Sequence, residues 1–453
     1  MSRSIPKLSA LLPLAFLAIA LSVDTAEAES APTPSTVPAA EQASDGVQTL
    51  PWSQWRGPQR DGHVGDEWAW PADLDCLESR WRIELGKGYP GPIVTPDRVF
   101  VAETHNEEIE VVRALDRATG EELWRTEWPG AWNVPFFAKA NGDWIRSTPA
   151  FDGSTLYVGG IREVLVALDG DTGEVLWTVD FPERYGTEVP PFGFASSPLV
   201  IGPHVYVQAA NSLVKLDAAT GQEVWRSAID PGGMMSGGAF SSPTLAKVAG
   251  REQLLVQDRI KLHGVDPDSG EVLWSQEVPN FRGMNILTPT VHGNGIFTSS
   301  YQNGTYFYRV EEGEQGFETV EQWKYKASGY MSSPVVVGDH AYLHLGNGRL
   351  TCIDLSTGES TWTSKPFGKY WSLAVQGDRL LALDERGDLH LIEANPTELR
   401  LLGSRQVSEQ PTWGHLAVAG DEIFVRELEA IAAYRWCEAP EGGSNPAAAV
   451  SAR

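Results

Sequence analysis

The sequence predicts an all-β protein, a single eight-bladed β-propeller of four-stranded antiparallel blades whose ring is closed by the N-terminal strand. Three observations carry this. Seven tryptophans, Trp81, Trp124, Trp177, Trp225, Trp274, Trp323 and Trp362, recur at intervals of 39 to 53 residues, a period that marks stacked supersecondary units. Five of them end closely similar eleven-residue units: 114–124 (ALDRATGEELW), 167–177 (ALDGDTGEVLW), 215–225 (KLDAATGQEVW), 264–274 (GVDPDSGEVLW) and 352–362 (CIDLSTGESTW). Upstream stand Thr148-Pro149, Ser197-Pro198, Ser242-Pro243, Thr288-Pro289 and Ser333-Pro334, which repeat with the same period.

Each unit reads as a strand, a turn and a strand. The Asp of the unit can accept backbone N–H groups in an Asx-turn. The Gly four residues later, as in Asp116 and Gly120, can take positive φ without a Cβ clash. The chain then reverses into a strand ending in Trp, whose indole can cover the next blade, since one four-stranded sheet cannot bury its own face. The Ser/Thr-Pro pair and a Gly/Asp turn before an aromatic run, such as Asp152-Gly153 before Leu156-Tyr157-Val158, supply two more strands. Strands A to D thus form a blade, with the unit spanning C and D.

Innermost strands are expected to start near Pro92, Pro149, Pro198, Pro243, Pro289, Pro334, Leu373 and His415. Blade 5 carries the insertion 311–317 where its turn belongs, and blade 7 lacks the Trp. Blade 8 ends at Trp436 after three strands. Its fourth is expected to be residues 77–85, with Trp81 in the repeat's Trp position, which closes the ring and removes a sheet edge. In that register Cys437 takes position five of the unit and Cys76 position six. The two cysteines therefore stand side by side where other blades have a continuous turn, at a separation suited to a disulfide. Cys352 falls in strand C of blade 6 and is expected to be a buried free thiol.

Residues 1–28 read as a secretory signal peptide: Arg3 and Lys7, the apolar stretch 8–23, and Ala26-Glu27-Ala28. Residues 29–50 read as a flexible leader, 51–437 as the propeller and 438–453 as a disordered tail. No later stretch approaches 18 apolar residues, so no transmembrane segment is expected in the mature chain. Export favours the disulfide. A net charge of −25 repels phosphates and excludes nucleic acid as a partner.

The repeat units resemble the tryptophan-docking repeats of the pyrroloquinoline-quinone-like propeller superfamily over residues 52–437. The opening Trp52-Ser53-Gln54-Trp55-Arg56-Gly57-Pro58 looks like the start of a bacterial subgroup of PQQ-binding-like repeat proteins. The superfamily includes quinoprotein alcohol dehydrogenases, polyvinyl-alcohol dehydrogenase and the propeller lipoprotein of the outer-membrane β-barrel assembly machine. The resemblance implies the fold and an exported location. The adjacent Cys-Cys pair of the enzymes, the C-x-x-C-H haem motif and the lipobox Cys are not in this sequence.

Segments running from strand D into the next strand A converge on the propeller axis. Aligned on the Ser/Thr-Pro pairs, they place Tyr89, Arg146, Phe240, Trp371 and Trp413 in one register, with Phe194, Asn285, Tyr330 and Tyr370 one step earlier. Arg282, Lys369 and His415 lie close by. An aromatic funnel with a few polar groups suits a sugar, a peptide or a planar cofactor. No metal site is predicted: His340 and His344 would lie about 13 Å apart along a strand. The expected function is that of an exported, non-catalytic, monomeric scaffold or ligand-binding module of the cell envelope, with a protein or glycan partner and no cofactor. The alternatives are a quinoprotein dehydrogenase using PQQ with calcium, and a glycan- or cell-wall-binding module.

Overall fold

The computed structural model describes residues 52–437 apart from 67, 137–138, 231–236 and 315. The predicted signal peptide, leader and tail lie outside the described residues. The eight sheets each hold four antiparallel strands, seven in simple A-B-C-D order. In the eighth, Leu77–Glu84 supplies strand D and pairs with Ala430–Trp436, the last strand of the chain. Cys76 and Cys437 are disulfide-bonded across this seam with Cα atoms 5.5 Å apart, and the Cys437 N–H donates to the Cys76 carbonyl at 3.0 Å. Cys352 is free and buried. The ring is an eight-bladed propeller, as the repeat predicts.

The blades dock as the unit implies. The Asp116 carboxylate accepts from the N–H groups of Ala118 and Thr119 and from the Thr119 hydroxyl. The same turn recurs at Asp169, Asp217, Asp266 and Asp354. Hydrogen bonds led by that from the Ser269 N–H hold the Asp266 carboxyl down at about 2. Six of the seven docking indoles donate to a carbonyl in the next blade's turn: Trp81 to Arg117, Trp124 to Gly170, Trp177 to Ala218, Trp225 to Asp268, Trp323 to Leu355 and Trp362 to Asn395, at 2.8–3.1 Å. Beside each Trp from blade 1 to blade 6 the C–D ladder shifts register by one residue, as between Ala114 and Leu115. These bulges, which increase local twist, were not foreseen.

Trp274 departs from the expected docking. The next blade's turn is replaced by a long hairpin, Gly304–Gly313 against Gly316–Tyr325, so no turn carbonyl waits for it. Its indole turns back and donates to Gln253 Oε1 of its own blade at 2.7 Å. It still packs beneath Tyr306, Tyr308 and Val310 of blade 5. In blade 7, Gly403 occupies the Trp register opposite Leu391. The gap is covered by residues 64–66 and 68–74, of which Leu74 stands against Gly403. Trp68 and Trp70 pack on Trp436 with centroids 5.6 and 5.9 Å apart, and Gln376 fastens this strap through the Trp68 carbonyl and the Trp70 N–H.

The Ser/Thr-Pro pairs prove to be an inter-blade belt around the axis. The Thr148 hydroxyl accepts the Gly91 N–H, Ser197 that of Thr148, Ser242 that of Ser197, Thr288 that of Ser242 and Ser333 that of Thr288, at 2.9–3.2 Å. The opening segment then runs through the channel as a plug. Trp52 pairs with Val94 of blade 1, the Ser53 carbonyl accepts from Phe151 of blade 2, and Gln54 brackets Val200 of blade 3. Further on, Gly62 and Val64 pair with Val375 of blade 7. The innermost strands present unpaired backbone groups to the axis, and the plug satisfies them.

Candidate ligand-binding pocket on the propeller axis

Strand order puts the D-to-A segments and the B–C turns on one face, opposite the C–D turns. On that face the plug converts the channel into a blind cavity of about 220 Å³. Trp55, from the plug, lines the cavity. The Arg56 and Arg60 guanidinium carbons lie 5.5 and 5.8 Å from its ring. The belt hydroxyls Thr148, Ser197, Ser242 and Ser333 also line it, together with Ser372, which accepts the Leu416 N–H in the same way.

Of the sequence-predicted residues, Tyr89, Arg146, Phe240, Tyr330, Tyr370 and Trp413 line the cavity, as do Trp371 and His415. The rings extend into an arc along its rim. Centroid distances are 5.7 Å from Trp144 to Tyr89, 5.0 Å to Trp413, 4.5 Å to Tyr370, 5.8 Å to Tyr330 and 4.4 Å to Tyr301. Burial pushes the Tyr89 and Tyr330 hydroxyls up to about 12, so both are neutral donors. Burial pushes His415 down to about 3, helped by the nearby Arg56 charge, so its imidazole is neutral.

Four predicted residues stand elsewhere. Phe194 is 1% exposed and packs edge-on against Phe181 in the core between blades 2 and 3. Asn285 is fully buried and donates to the Arg259 and Val278 carbonyls, holding its loop. Arg282 has left-handed backbone and lies over the neighbouring Phe281. Lys369 is exposed and does not line the cavity. The one-residue offset from the Ser/Thr-Pro pair therefore points inward in some blades and outward in others, because these segments differ in length and conformation.

Trp371 also needs correction. The sequence alignment places it in the funnel register with Trp413. It is 2% exposed and stacks on His344 at 4.7 Å and on His390 at 5.5 Å. Trp371→Ala is expected to cost about 3–5 kcal/mol, the range for a buried aromatic. Half-buried Trp413→Ala should cost clearly less. Denaturant midpoints of the two variants check the ordering.

Sequence reasoning missed Trp55, Phe192, Trp144 and Tyr301. Trp55 lies in the opening motif, whose insertion into the axis no local pattern announces. Tyr301 opens a B–C turn, on the same face as the D-to-A segments, and that shared face was the available signal.

The residues do not fit a quinone–calcium pair. Among the described residues no Asp or Glu lines the cavity, whereas calcium is held mainly by carboxylate oxygens. Among the described residues no three His, Cys, Asp or Glu side chains come together as a metal requires.

A family described as outer membrane protein assembly factor BamB matches residues 108–364. The BamB of Shewanella oneidensis is 24% identical over 366 residues, covering 77% of this chain and 86% of the relative. Among solved structures, BamB from Moraxella catarrhalis superimposes with a TM-score of 0.56 at 16% identity, over 82% of this chain and 99% of that one. Quinohemoprotein alcohol dehydrogenase from Comamonas testosteroni gives a TM-score of 0.50 at 14% identity, over 88% and 83%. Both structural likenesses establish the shared propeller fold.

Proposed function

Because the chain belongs to the family described as outer membrane protein assembly factor BamB, we propose that it is an exported, non-catalytic scaffold that binds protein partners in the cell envelope. The observation that supports this best is the asymmetry of the ring. One face is corked by the chain's own Trp52–Val64 segment, and the other carries an arc of half-buried aromatic rings around a blind cavity. Aromatic clusters with scattered polar groups are what protein interfaces use as anchors. No described helix is long and apolar enough to cross a membrane.

Glycan binding also draws on the aromatic arc. Its rings, however, cover one another: Tyr89 and Trp413 stack at 5.0 Å and 13°, which leaves fewer free faces for sugars. The protein reading is therefore preferred. A photo-crosslinking residue placed at Tyr370, and another on the C–D turn face at Thr357, distinguishes them in intact cells. The expected result is a discrete adduct with an outer-membrane assembly protein from position 370 and none from 357. Adducts from 357 alone, or none from either with glycan retained on an array, would reverse the assignment.

A further inference from the structure

The chain carries a net charge of −25, yet among the described residues no carboxylate lines its axial cavity. One guanidinium group lines it instead, and two more lie behind Trp55 in the plug beneath it. Arg146 lines the cavity, and Arg56 and Arg60 are fully buried beside Trp55. Their hydrogen bonds go to carbonyl oxygens: Arg56 to Arg60, Asp61 and Pro334, Arg60 to Ser197 and Pro198, and Arg146 to Gly142. The Nε atoms of all three are buried and unpartnered. Asp143, three residues before Arg146, is paired with Lys139 at 2.6 Å. Burial lowers Arg56 to about 10 and Arg60 to about 9, so both stay cationic at neutral pH.

Asp61 offsets part of the Arg56 charge and Asp143 part of the Arg146 charge, whereas Arg60 has no such carboxylate, and a buried charge so weakly compensated is costly. The belt supplies further donors. Thr148, Ser197, Ser242 and Ser372 each already accept a backbone N–H, so the proton each hydroxyl carries is what it offers to the cavity. The wall is therefore donor-rich and cationic, and its rim is aromatic.

We propose that this cavity receives a carboxylate, the acidic side chain of a protein partner docked on the aromatic face, with Arg146 and the belt hydroxyls as its recognition groups. The inference rests on the scaffold reading for the identity of the partner. Carboxylate recognition itself does not depend on it. A charged hydrogen bond inside a half-buried aromatic collar is stronger than one at the open surface, which makes the cavity a natural anchor point.

The test has two arms on the full mature chain. In the first, tryptophan fluorescence follows titration with phenylacetate and with its neutral isostere phenylacetamide. Saturable binding of phenylacetate is expected, weakened about tenfold or more by Arg146→Gln and restored by Arg146→Lys, with the amide binding far less. Equal binding of acid and amide, or indifference to Arg146→Gln in a variant with an unchanged thermal midpoint, overturns the carboxylate site. In the second arm, crosslinking from position 370 is repeated with Arg146→Gln. Loss of the protein adduct supports the acidic anchor. An undiminished adduct overturns it while leaving the scaffold reading intact. Carboxylate binding with no protein adduct overturns the scaffold reading and the protein source of the carboxylate.

Discussion

Replacing Cys76 and Cys437 with Ser is expected to be among the most destabilising changes available to the propeller. The bridge ties residues 361 apart in sequence, and constraint of so long a loop in the unfolded chain corresponds to about 5 kcal/mol in the chain-entropy picture, less whatever residual structure the unfolded chain keeps. The seam also has no covalent turn of its own. In the other seven blades strands C and D are consecutive in the chain, five of them joined by the Asp-Gly turn, whereas in blade 8 they come from opposite ends of the chain. Seven residue pairs, from Leu77 with Trp436 to Glu84 with Ala430, then hold the ring closed. The double Ser variant should show a lower denaturant midpoint and early amide exchange in 77–84 and 430–436. A midpoint within 0.5 kcal/mol of the parent would show that strand pairing and the strap over blades 7 and 8 suffice.

Gly173→Val should be comparably damaging for a different reason. Gly173 has φ of +75° in the C–D turn of blade 2, and a Cβ there would stand 2.5 Å from Cε3 and 2.7 Å from Cδ2 of Trp124. A β-branched residue meets both left-handed backbone strain and the indole that blade 1 lays on this turn. Displacing that indole also breaks its bond to the Gly170 carbonyl. The combined effect is expected to be about 3 kcal/mol or more. Gly202→Val is the matched control. Gly202 has φ of +52° with nothing within 4 Å of the Cβ position, so it measures backbone strain alone. If the two variants unfold at the same denaturant concentration, the Trp-on-Gly contact contributes nothing, and the repeat's Gly is explained by turn geometry alone.

These two expectations also mark how far local pattern reaches. The unit's Asp, Gly and Trp obey short-range rules, so their roles were legible from spacing. The alignment was weaker for Trp274, because its docking partner belongs to the next blade and the insertion there removed it. It failed for Phe194, Asn285, Arg282 and Lys369. Each sits at an offset from Ser/Thr-Pro that resembles its neighbours', but side-chain direction in an irregular segment follows the φ/ψ of every intervening residue. Arg282, with φ of +57°, shows how one left-handed residue redirects a loop. Trp371 and Trp413 share an alignment register and still differ, since only Trp371 finds His344 and His390 beside it.

By itself the sequence determined the blade count, the seam, the cysteine pairing and the docking order. All follow from periodicity and from contacts whose two halves repeat in every unit. Only the tertiary structure decided that the Ser/Thr hydroxyls form a belt and that Trp52–Val64 corks the axis. It also decided that Arg146 faces the cavity with no Asp or Glu beside it in the lining among the described residues. Those features join residues of five or more blades at the one place where all innermost strands converge, and convergence on an axis is a property of the closed ring that no single repeat encodes.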